Sequence, residues 1–144
     1  MTIARILKNK GGTIVTVPQT MPVIGVANVL RERGIGAVLV TDVSGDLIGI
    51  VSERDIVRGL ATLGGELLEK AAGTIMTSPV ITCTPEDTVQ SAMELMTSRR
   101  FRHLPVIDNG RLTGIVSIGD LVKQRIQAAE QEAGHLREYI AMAG

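Results

Sequence analysis

The sequence predicts a mixed α/β (α+β) protein made of two similar halves, and three observations support this. Residues 49–55, GIVSERD, return 65 positions later as residues 114–120, GIVSIGD. Upstream, residues 40–42 (VTD) match residues 106–108 (VID). Apolar residues with helical spacing precede both copies, at positions 23, 26, 27 and 30 and at 89, 92, 93 and 96. Each half therefore reads β-α-β-β-α, and we expect the halves to pack about a pseudo-twofold axis, because neither buries a good core alone.

Composition excludes several classes of protein. Of the 144 residues, 15 are basic and 15 acidic, one is Cys, and only 1% are aromatic. A neutral chain with no aromatic platform is a poor nucleic-acid binder. No Cys/His cluster has zinc-ligand spacing, and no apolar segment approaches the roughly 20 residues that span a bilayer. The N-terminus lacks the apolar core of a signal peptide. We therefore expect a cytoplasmic protein without a metal, a membrane or nucleic acid as partner.

The first repeat is assigned to residues 1–65, including an N-terminal helix. Residues 1–10 are expected to form this helix, with Ile3, Ile6 and Leu7 packed on the core. A β-rich run at 13–17 and the amphipathic helix follow, then strands at 37–41 and 47–51. A second helix is predicted directly after Ser52. Residues 66–78 are assigned to a connecting segment that contains a short helix at 66–72.

The second repeat is assigned to residues 79–125 and has the same order. After a β-rich run at 80–83, Thr84 is the predicted N-cap of the amphipathic helix, because Pro85 and two acidic residues follow it. Strands at 103–107 and 111–116 flank Asn109-Gly110, a pair that favours a tight hairpin turn. The last helix is predicted to begin after Ser117.

Residues 126–144 are assigned to a C-terminal helical extension. Between residues 118 and 142 there is no Pro, and the apolar positions are spaced 4, 3, 4, 3, 4: Val122, Ile126, Ala129, Ala133, Leu136 and Ile140. This heptad-like spacing leaves two interpretations open. The helix folds back along its own domain, or it forms a dimer contact through the Ala-rich seam. Gly134 weakens the helix and is a candidate position for a bend.

Two Gly-Ile-Val-Ser-x-x-Asp segments at matched places in two matched β-α-β-β-α patterns resemble the cystathionine-β-synthase (CBS) domain pair, or Bateman module, of small stand-alone bacterial proteins. The resemblance covers residue 1 to about 125. It implies a regulatory sensor, not an enzyme, that binds an adenine nucleotide in the clefts between the repeats. AMP is the first choice of ligand, with ADP, ATP or NADH as alternatives, and no catalytic cofactor is implied. A homodimer and an unidentified effector protein are the implied partners.

The motif residues Ser52, Asp55, Ser117 and Asp120 have two interpretations. Each Ser-x-x-Asp has the form of a helix capping box, which is a purely structural role. The same geometry exposes backbone N–H groups to a phosphate, and a carboxylate can accept hydrogen bonds from two vicinal ribose hydroxyls. In CBS domains the Asp of this motif typically contacts ribose, so the resemblance implies that these four residues bind the ribose and phosphate.

Basic residues distinguish the second repeat from the first. Residues 99–103 read RRFRH, where the first repeat has RGIGA at 33–37. Cations at the entry of a strand suit a phosphate tail, although at a helix C-terminus they are also favoured without any ligand. We select Arg100, Arg102 and His103. A resemblance of this region to the nucleotide-binding subunit of AMP-activated kinase implies that Arg102 and His103 face phosphates, so the second repeat should hold the better site.

The resemblance also implies an apolar adenine slot, lined from the first strand, the start of the second strand and the motif strand of each repeat. The residues are Ile81, Phe101, Ile115, Val15, Ile35 and Ile50, each of which also suits a plain core position. Cys83 is expected to be inert packing, and His135 to be solvated. The rival hypothesis is a ligand-free dimerisation or protein-interaction module in which both Ser-x-x-Asp motifs serve only as caps.

Overall fold

The structure is a computed structural model that describes residues 1–11 and 14–144. Its elements, in chain order, are α1 (Ile3–Lys10), β1 (Thr16–Pro18), α2 (Val23–Arg33), β2 (Ala37–Thr41), β3 (Leu47–Ser52), α3 (Glu53–Leu63), a 3₁₀ helix (Gly64–Glu69), α4 (Ala72–Ile75), α5 (Val89–Arg99), β4 (His103–Asp108), β5 (Arg111–Ser117) and α6 (Ile118–Ala143). This mixture of helices and small sheets confirms the predicted fold class.

The described chain divides into two compact units. Residues 14–81 form one, here called the N-repeat unit, and residues 1–11 together with 82–144 form the other, the C-repeat unit. Helix α1 thus lies in the C-repeat unit, although its position in the sequence predicts that it belongs to the first repeat. Residues 66–78, expected to be a connector, are part of the N-repeat unit, and their predicted short helix is the 3₁₀ helix Gly64–Glu69.

The N-repeat unit is built on a three-stranded sheet in the order β1-β2-β3. Strand β1 is parallel to β2, with Val17 opposite Val40, and β3 is antiparallel to β2, with Val51 opposite Val38. These four valines are buried, together with Val26 and Leu30 of α2. Position 13, where the first β-rich run was predicted to begin, lies outside the described residues.

The segment after the 3₁₀ helix closes the N-repeat unit on the outer side of β3. Thr77 pairs with Ile50, since each backbone N–H donates to the other residue's carbonyl at 2.9 and 3.2 Å. Gly49 allows this approach, because a Cβ at that position would collide with the Met76 side chain. The segment thus behaves as an additional short edge of the sheet.

The C-repeat unit contains the β4-β5 hairpin. Asn109 (φ 50°) and Gly110 (φ 77°) both have left-handed backbone conformations, as a tight hairpin turn of this type requires, so the predicted turn is confirmed. The predicted strand at 80–83 is wrong. Only a single parallel bridge forms there, between Cys83 and Val106, at the place where Val17 and Val40 pair in the N-repeat unit.

Helix α1 docks on this hairpin and on the turn before α5. Ile3 and Ile6 are buried, which confirms their predicted packing, and a Cβ at Gly114 would collide with the Leu7 side chain. The backbone N–H groups of Ile3 and Ala4 donate to the carbonyls of Asp87 and Pro85, both at 2.9 Å. Two of the N–H groups at the start of α1 that have no partner within the helix are therefore satisfied by the turn that precedes α5.

That turn corrects the predicted start of the second amphipathic helix. Helix α5 begins at Val89, and its N-cap is Thr88, which accepts a hydrogen bond from the Ser91 N–H, rather than Thr84. The backbone N–H of Thr84 instead donates to the Asp87 carboxylate at 2.8 Å. Residues 84–87 are a non-helical turn, in which the carbonyls of Pro85 and Asp87 accept hydrogen bonds from α1.

Helix α6 is continuous over its 26 residues, about 39 Å at 1.5 Å per residue. It passes through Gly134 without interruption, so no break occurs at the candidate bend. Leu121 is its one buried residue, and the rest of the helix beyond it is largely exposed.

Candidate functional site

Each repeat has a strand that leads directly into a capped helix, as predicted. In the N-repeat unit, β3 ends at Ser52 and α3 begins at Glu53. The Ser52 N–H donates to Asp55 Oδ2 at 2.8 Å, and the Asp55 N–H donates to Ser52 Oγ at 3.3 Å. This reciprocal capping box confirms the predicted capping geometry of the first Ser-x-x-Asp motif, which both interpretations share.

The second motif has the same geometry. The Ser117 N–H donates to Asp120 Oδ2 at 2.8 Å, and the Asp120 N–H donates to Ser117 Oγ at 3.2 Å. Both serines and both aspartates are partly exposed. The caps thus fix each carboxylate at the N-terminus of its helix, where the helix dipole is positive, without burying it.

Lys10, which the sequence analysis missed, lies at the second junction. Its Nζ is 2.8 Å from Asp120 Oδ2 and donates to the Ile115 carbonyl at 2.9 Å. The exposed fractions of the Lys10 and Asp120 side chains are 35% and 25%. Lys10 is the last residue of α1, where a cation is explained by the helix dipole alone, so no local pattern in the sequence pointed to this contact.

The pKa of Asp120 reflects opposing effects. Burial acts to raise the pKa, but the hydrogen bond and charge of Lys10, with the hydrogen bonds from Ser117, outweigh it. The net effect is a pKa below the ordinary value of an aspartate. Asp120 is therefore a carboxylate at neutral pH, held by a cation on one side and by its cap on the other.

The first junction has a neutral partner in the corresponding place. Thr77 Oγ1 donates to Asp55 Oδ1 at 3.3 Å. Thr77 contacts Asp55 from the segment that pairs with β3. Lys10 contacts Asp120 from helix α1, which packs on β5. The two junctions thus share their caps but differ in the partner of the aspartate, which is a threonine at the first junction and a lysine at the second.

The predicted basic residues lie at the start of the β4-β5 pair. His103 is opposite Ser117 in the strand register, and the Arg102 carbonyl accepts a hydrogen bond from the Ile118 N–H at 2.8 Å. Arg100 ends α5 in a left-handed conformation, with φ 58°. The backbone therefore brings Arg102 and His103 beside Ser117. Arg100 precedes Arg102 by two residues. In the first repeat, Gly36 and Ala37 have these backbone positions and carry no charge.

The six residues predicted to line an adenine slot are all half-buried. Four belong to the N-repeat unit: Val15, Ile35, Ile50 and Ile81. Phe101 and Ile115 belong to the C-repeat unit, where Phe101 precedes Arg102 and the Ile115 carbonyl contacts Lys10. Val15 and Ile35 also pack against the core of their unit, as the alternative interpretation proposed.

The other candidate reactive groups are a buried thiol and an exposed imidazole. Burial, and secondarily the charge of Asp87, raises the pKa of the Cys83 thiol to about 12, so this thiol is protonated and inert. His135 is exposed on α6. Among residues 1–11 and 14–144, no three His, Cys, Asp or Glu side chains are grouped to hold a metal ion. Within the same described residues, no helix has the length and apolar character to cross a membrane.

Two repeats of a helix, two antiparallel strands and a capped helix define a tandem α/β repeat module. The family model of the CBS domain matches this chain twice, at residues 12–62 and 72–126. The chain therefore belongs to the CBS-domain family, and the resemblance seen in the sequence is confirmed.

Individual relatives agree with this assignment. The chain is 34% identical, over 96% of its length and 71% of the relative's, to the mitochondrial CBS domain-containing protein CBSX3 of Arabidopsis thaliana. Its structure is similar to that of a CBS-domain containing protein from Agrobacterium tumefaciens, with a TM-score of 0.84 and 43% identity over 86% of this chain and 92% of that one.

Two further similar structures contain ligands. One is a CBS domain protein of Pyrobaculum aerophilum complexed with AMP (TM-score 0.74, 32% identity, 83% of this chain and 89% of that one). The other is the CBS domain pair of protein MJ0100 in complex with 5-methylthioadenosine and S-adenosyl-L-methionine (TM-score 0.76, 26% identity, 86% and 98%). An adenosine group is common to all three ligands.

Proposed function

We propose that this protein is a regulatory CBS module that binds an adenine nucleotide and signals the bound state to an effector protein. AMP is the preferred ligand, with ADP, ATP or NADH as alternatives. The observation that carries the proposal is the Lys10–Asp120 pair at the start of α6, because it puts a cation and a hydrogen-bond acceptor side by side on one junction. The AMP-bound relative supports the class of ligand.

Asp120 is the proposed ribose ligand. A carboxylate offers about four lone-pair positions on its two oxygens. The Ser117 N–H and Lys10 Nζ both contact Oδ2, so acceptor capacity remains for ribose hydroxyls. Ser117 Oγ, which accepts the Asp120 N–H at 3.2 Å, is the proposed polar contact for the sugar or the phosphate.

Lys10, Arg102, His103 and Arg100 are the proposed phosphate ligands. The N-terminus of α6 contributes backbone N–H groups and a favourable dipole for an anion. Lys10 Nζ is fixed by two oxygen acceptors at this junction, one of them on the proposed ribose ligand Asp120, which supports its role as the counter-charge of a phosphate next to the ribose. This favours a nucleotide over a phosphate-free nucleoside in the C-repeat unit.

Phe101 and Ile115 are the proposed adenine contacts of the C-repeat unit, since both are half-buried apolar residues next to the polar groups. Ile81 stays a prediction. In the N-repeat unit, Ser52 and Asp55 with Val15, Ile35 and Ile50 form the proposed second site. Its polar partner is the neutral Thr77, so this site should bind phosphate less strongly.

We propose further that the protein is not an enzyme and that it works as a homodimer. The Cys83 thiol is buried and protonated, which removes the most reactive nucleophile of the chain. The outer part of α6 is exposed and apolar along one face, which suits a contact with another protein surface.

Calorimetric titration with AMP and with adenosine tests the proposed site. In Lys10→Met, AMP affinity should fall about tenfold or more, while adenosine affinity should change little, because a charge-assisted contact to phosphate is lost. Lys8→Met is the matched control, since Lys8 is an exposed cation of the same helix without a contact to Asp120. Asp120→Ala should weaken both ligands.

The alternative is a ligand-free interaction module. It is favoured by the capping boxes, which account for both Ser-x-x-Asp motifs without any ligand. If AMP, ADP, ATP and NADH all give no heat with the folded wild-type protein, the sensor proposal is wrong and this alternative is supported.

A further inference from the structure

Helix α6 carries an apolar face that the rest of the described chain leaves uncovered. The exposed fractions of Val122, Ile126, Leu136 and Ile140 are 40%, 54%, 59% and 62%. Ala129 and Ala133 lie between them and are also exposed. The spacing between these six residues alternates between four and three, so they occupy the a positions (126, 133 and 140) and the d positions (122, 129 and 136) of a heptad repeat. We call this face the α6 seam.

Besides Lys123, which follows Val122, four charged residues flank the α6 seam. Arg125 and Glu132 each precede an a position, which makes them g residues, and Glu130 and Arg137 each follow a d position, which makes them e residues. None of them has an opposite charge from Lys, Arg, Asp or Glu three or four residues away on its own helix. In the described part of the chain, none of the four takes part in an ion pair.

We infer that α6 pairs with α6 of a second copy of this chain, parallel and in register, as a short two-stranded coiled coil. In that arrangement a g residue faces the e residue five positions later on the other helix. Arg125 then meets the second copy's Glu130, and Glu132 meets the second copy's Arg137. All four charges gain opposite partners that their own helix does not offer.

The apolar residues agree with this orientation. All six layers of the α6 seam are covered when two parallel helices are in register. Ile126 and Ile140 are at a positions and Leu136 is at d, the combination that favours parallel dimers. The two Ala layers allow close approach of the helices at the centre.

Antiparallel pairing is less compatible with the charges. If all six layers are to be buried in that orientation, Glu130 meets Glu130 and Glu132 meets Glu132, while Lys123 approaches Arg137. Shifting the antiparallel helices by one heptad pairs opposite charges, Lys123 with Glu130 and Arg125 with Glu132, but it covers only four of the six layers. The parallel arrangement alone satisfies both requirements.

A charge-reversal series on the full chain tests the inference, with sedimentation equilibrium as the measurement. The wild type should be a dimer. Arg125→Glu puts two negative charges opposite each other twice per dimer, so the dimer Kd should rise about tenfold or more. Arg125→Glu combined with Glu130→Arg should restore the wild-type Kd. Lys123→Glu is the matched control and should change little, because Lys123 faces no charge in the parallel pair.

A disulfide provides an independent readout. Ile140→Cys should cross-link two copies on mild oxidation, whereas Glu138→Cys, on the outer face of the same helix, should not. The buried Cys83 does not interfere. A monomeric wild type, or a dimer indifferent to Arg125→Glu, would overturn the inference. So would a double variant that is weaker than the single one, or Lys123→Glu acting as strongly as Arg125→Glu, since both indicate the shifted antiparallel pairing.

Discussion

Lys10 and Asp120 are separated by 110 positions in the sequence, yet Lys10 Nζ lies 2.8 Å from Asp120 Oδ2. The contact ties the end of the first helix to the start of the last one. Because the Asp120 carboxylate also accepts the N–H of Ser117, the N-cap of α6, this single carboxylate connects helix capping, the docking of α1 and the proposed ligand site.

Lys10→Met should reduce the pH dependence of stability on the acid side. The folded pKa of Asp120 is lowered, so it lies below the unfolded value of about 3.9. Stability from the ionised carboxylate is thus fully present at neutral pH and is lost as the pH falls through the folded pKa. At neutral pH the free energy of unfolding of the wild type should exceed that of Lys10→Met by about 0.5 kcal/mol, a small difference because the pair is partly exposed.

Urea unfolding near neutral pH and again below pH ~2.5 measures this difference, which should shrink toward zero in acid. Lys8→Met should follow the wild type at both pH values. A gap between wild type and Lys10→Met that is equally large in acid would mean that packing, and not charge, explains the contribution of Lys10.

Cys83 should resist labelling by thiol reagents in the native protein. Ionisation of its thiol should destabilise the protein at alkaline pH. Burial raises its pKa to about 12, above the unfolded value of about 8.5. The protonated thiol is therefore favoured by folding, and this contribution is lost as the pH rises from the unfolded toward the folded pKa, by about 1.4 kcal/mol per pH unit.

Ellman's reagent near pH ~8 should react with Cys83 only in urea. Between pH ~9 and ~11 the wild type should lose more stability than Cys83→Ala, which lacks the titrating group. Rapid labelling of the native protein would contradict the buried position of this side chain.

Thr88→Ala should destabilise the C-repeat unit by about 1 kcal/mol, because Thr88 caps α5 by accepting the Ser91 N–H. Thr84→Ala should cost less than about 0.5 kcal/mol, since only the backbone of Thr84 takes part in the turn. Thermal unfolding of the two variants distinguishes the observed helix start from the one predicted by sequence. Equal losses would argue for a cap at both positions.

Gly114→Ala should destabilise by about 1–3 kcal/mol, because its Cβ meets the Leu7 side chain where α1 packs on β5. Gly134→Ala is the matched control. It adds the same methyl group where nothing lies within 4 Å, so it should stabilise α6 by about 0.5–1 kcal/mol. Denaturant unfolding measures both variants, and truncating Leu7 in the Gly114→Ala background should recover part of the loss. A harmless Gly114→Ala would place α1 elsewhere.

Local patterns predicted much of the fold and half of the candidate site. The Ser117-to-Asp120 box needs only residues three positions apart, and the Asn109-Gly110 turn needs only its own backbone preferences, so both were visible in the sequence. The start of α5 was not. Thr84-Pro85-Glu86-Asp87 has a good capping pattern, but the carbonyls of Pro85 and Asp87 are bound by α1, and this competition is invisible locally.

The sequence by itself determined the duplicated order of amphipathic helix, two strands and helix, together with the two capped junctions, because each depends on periodicity or on neighbours within one helical turn. Only the tertiary structure decided that α1 packs with the second repeat, and that Lys10 is the charge at one junction while Thr77 is the neutral partner at the other. Such pairings join residues far apart along the chain, and they form only when buried apolar faces, such as that of Ile3 and Ile6, fix where a helix docks.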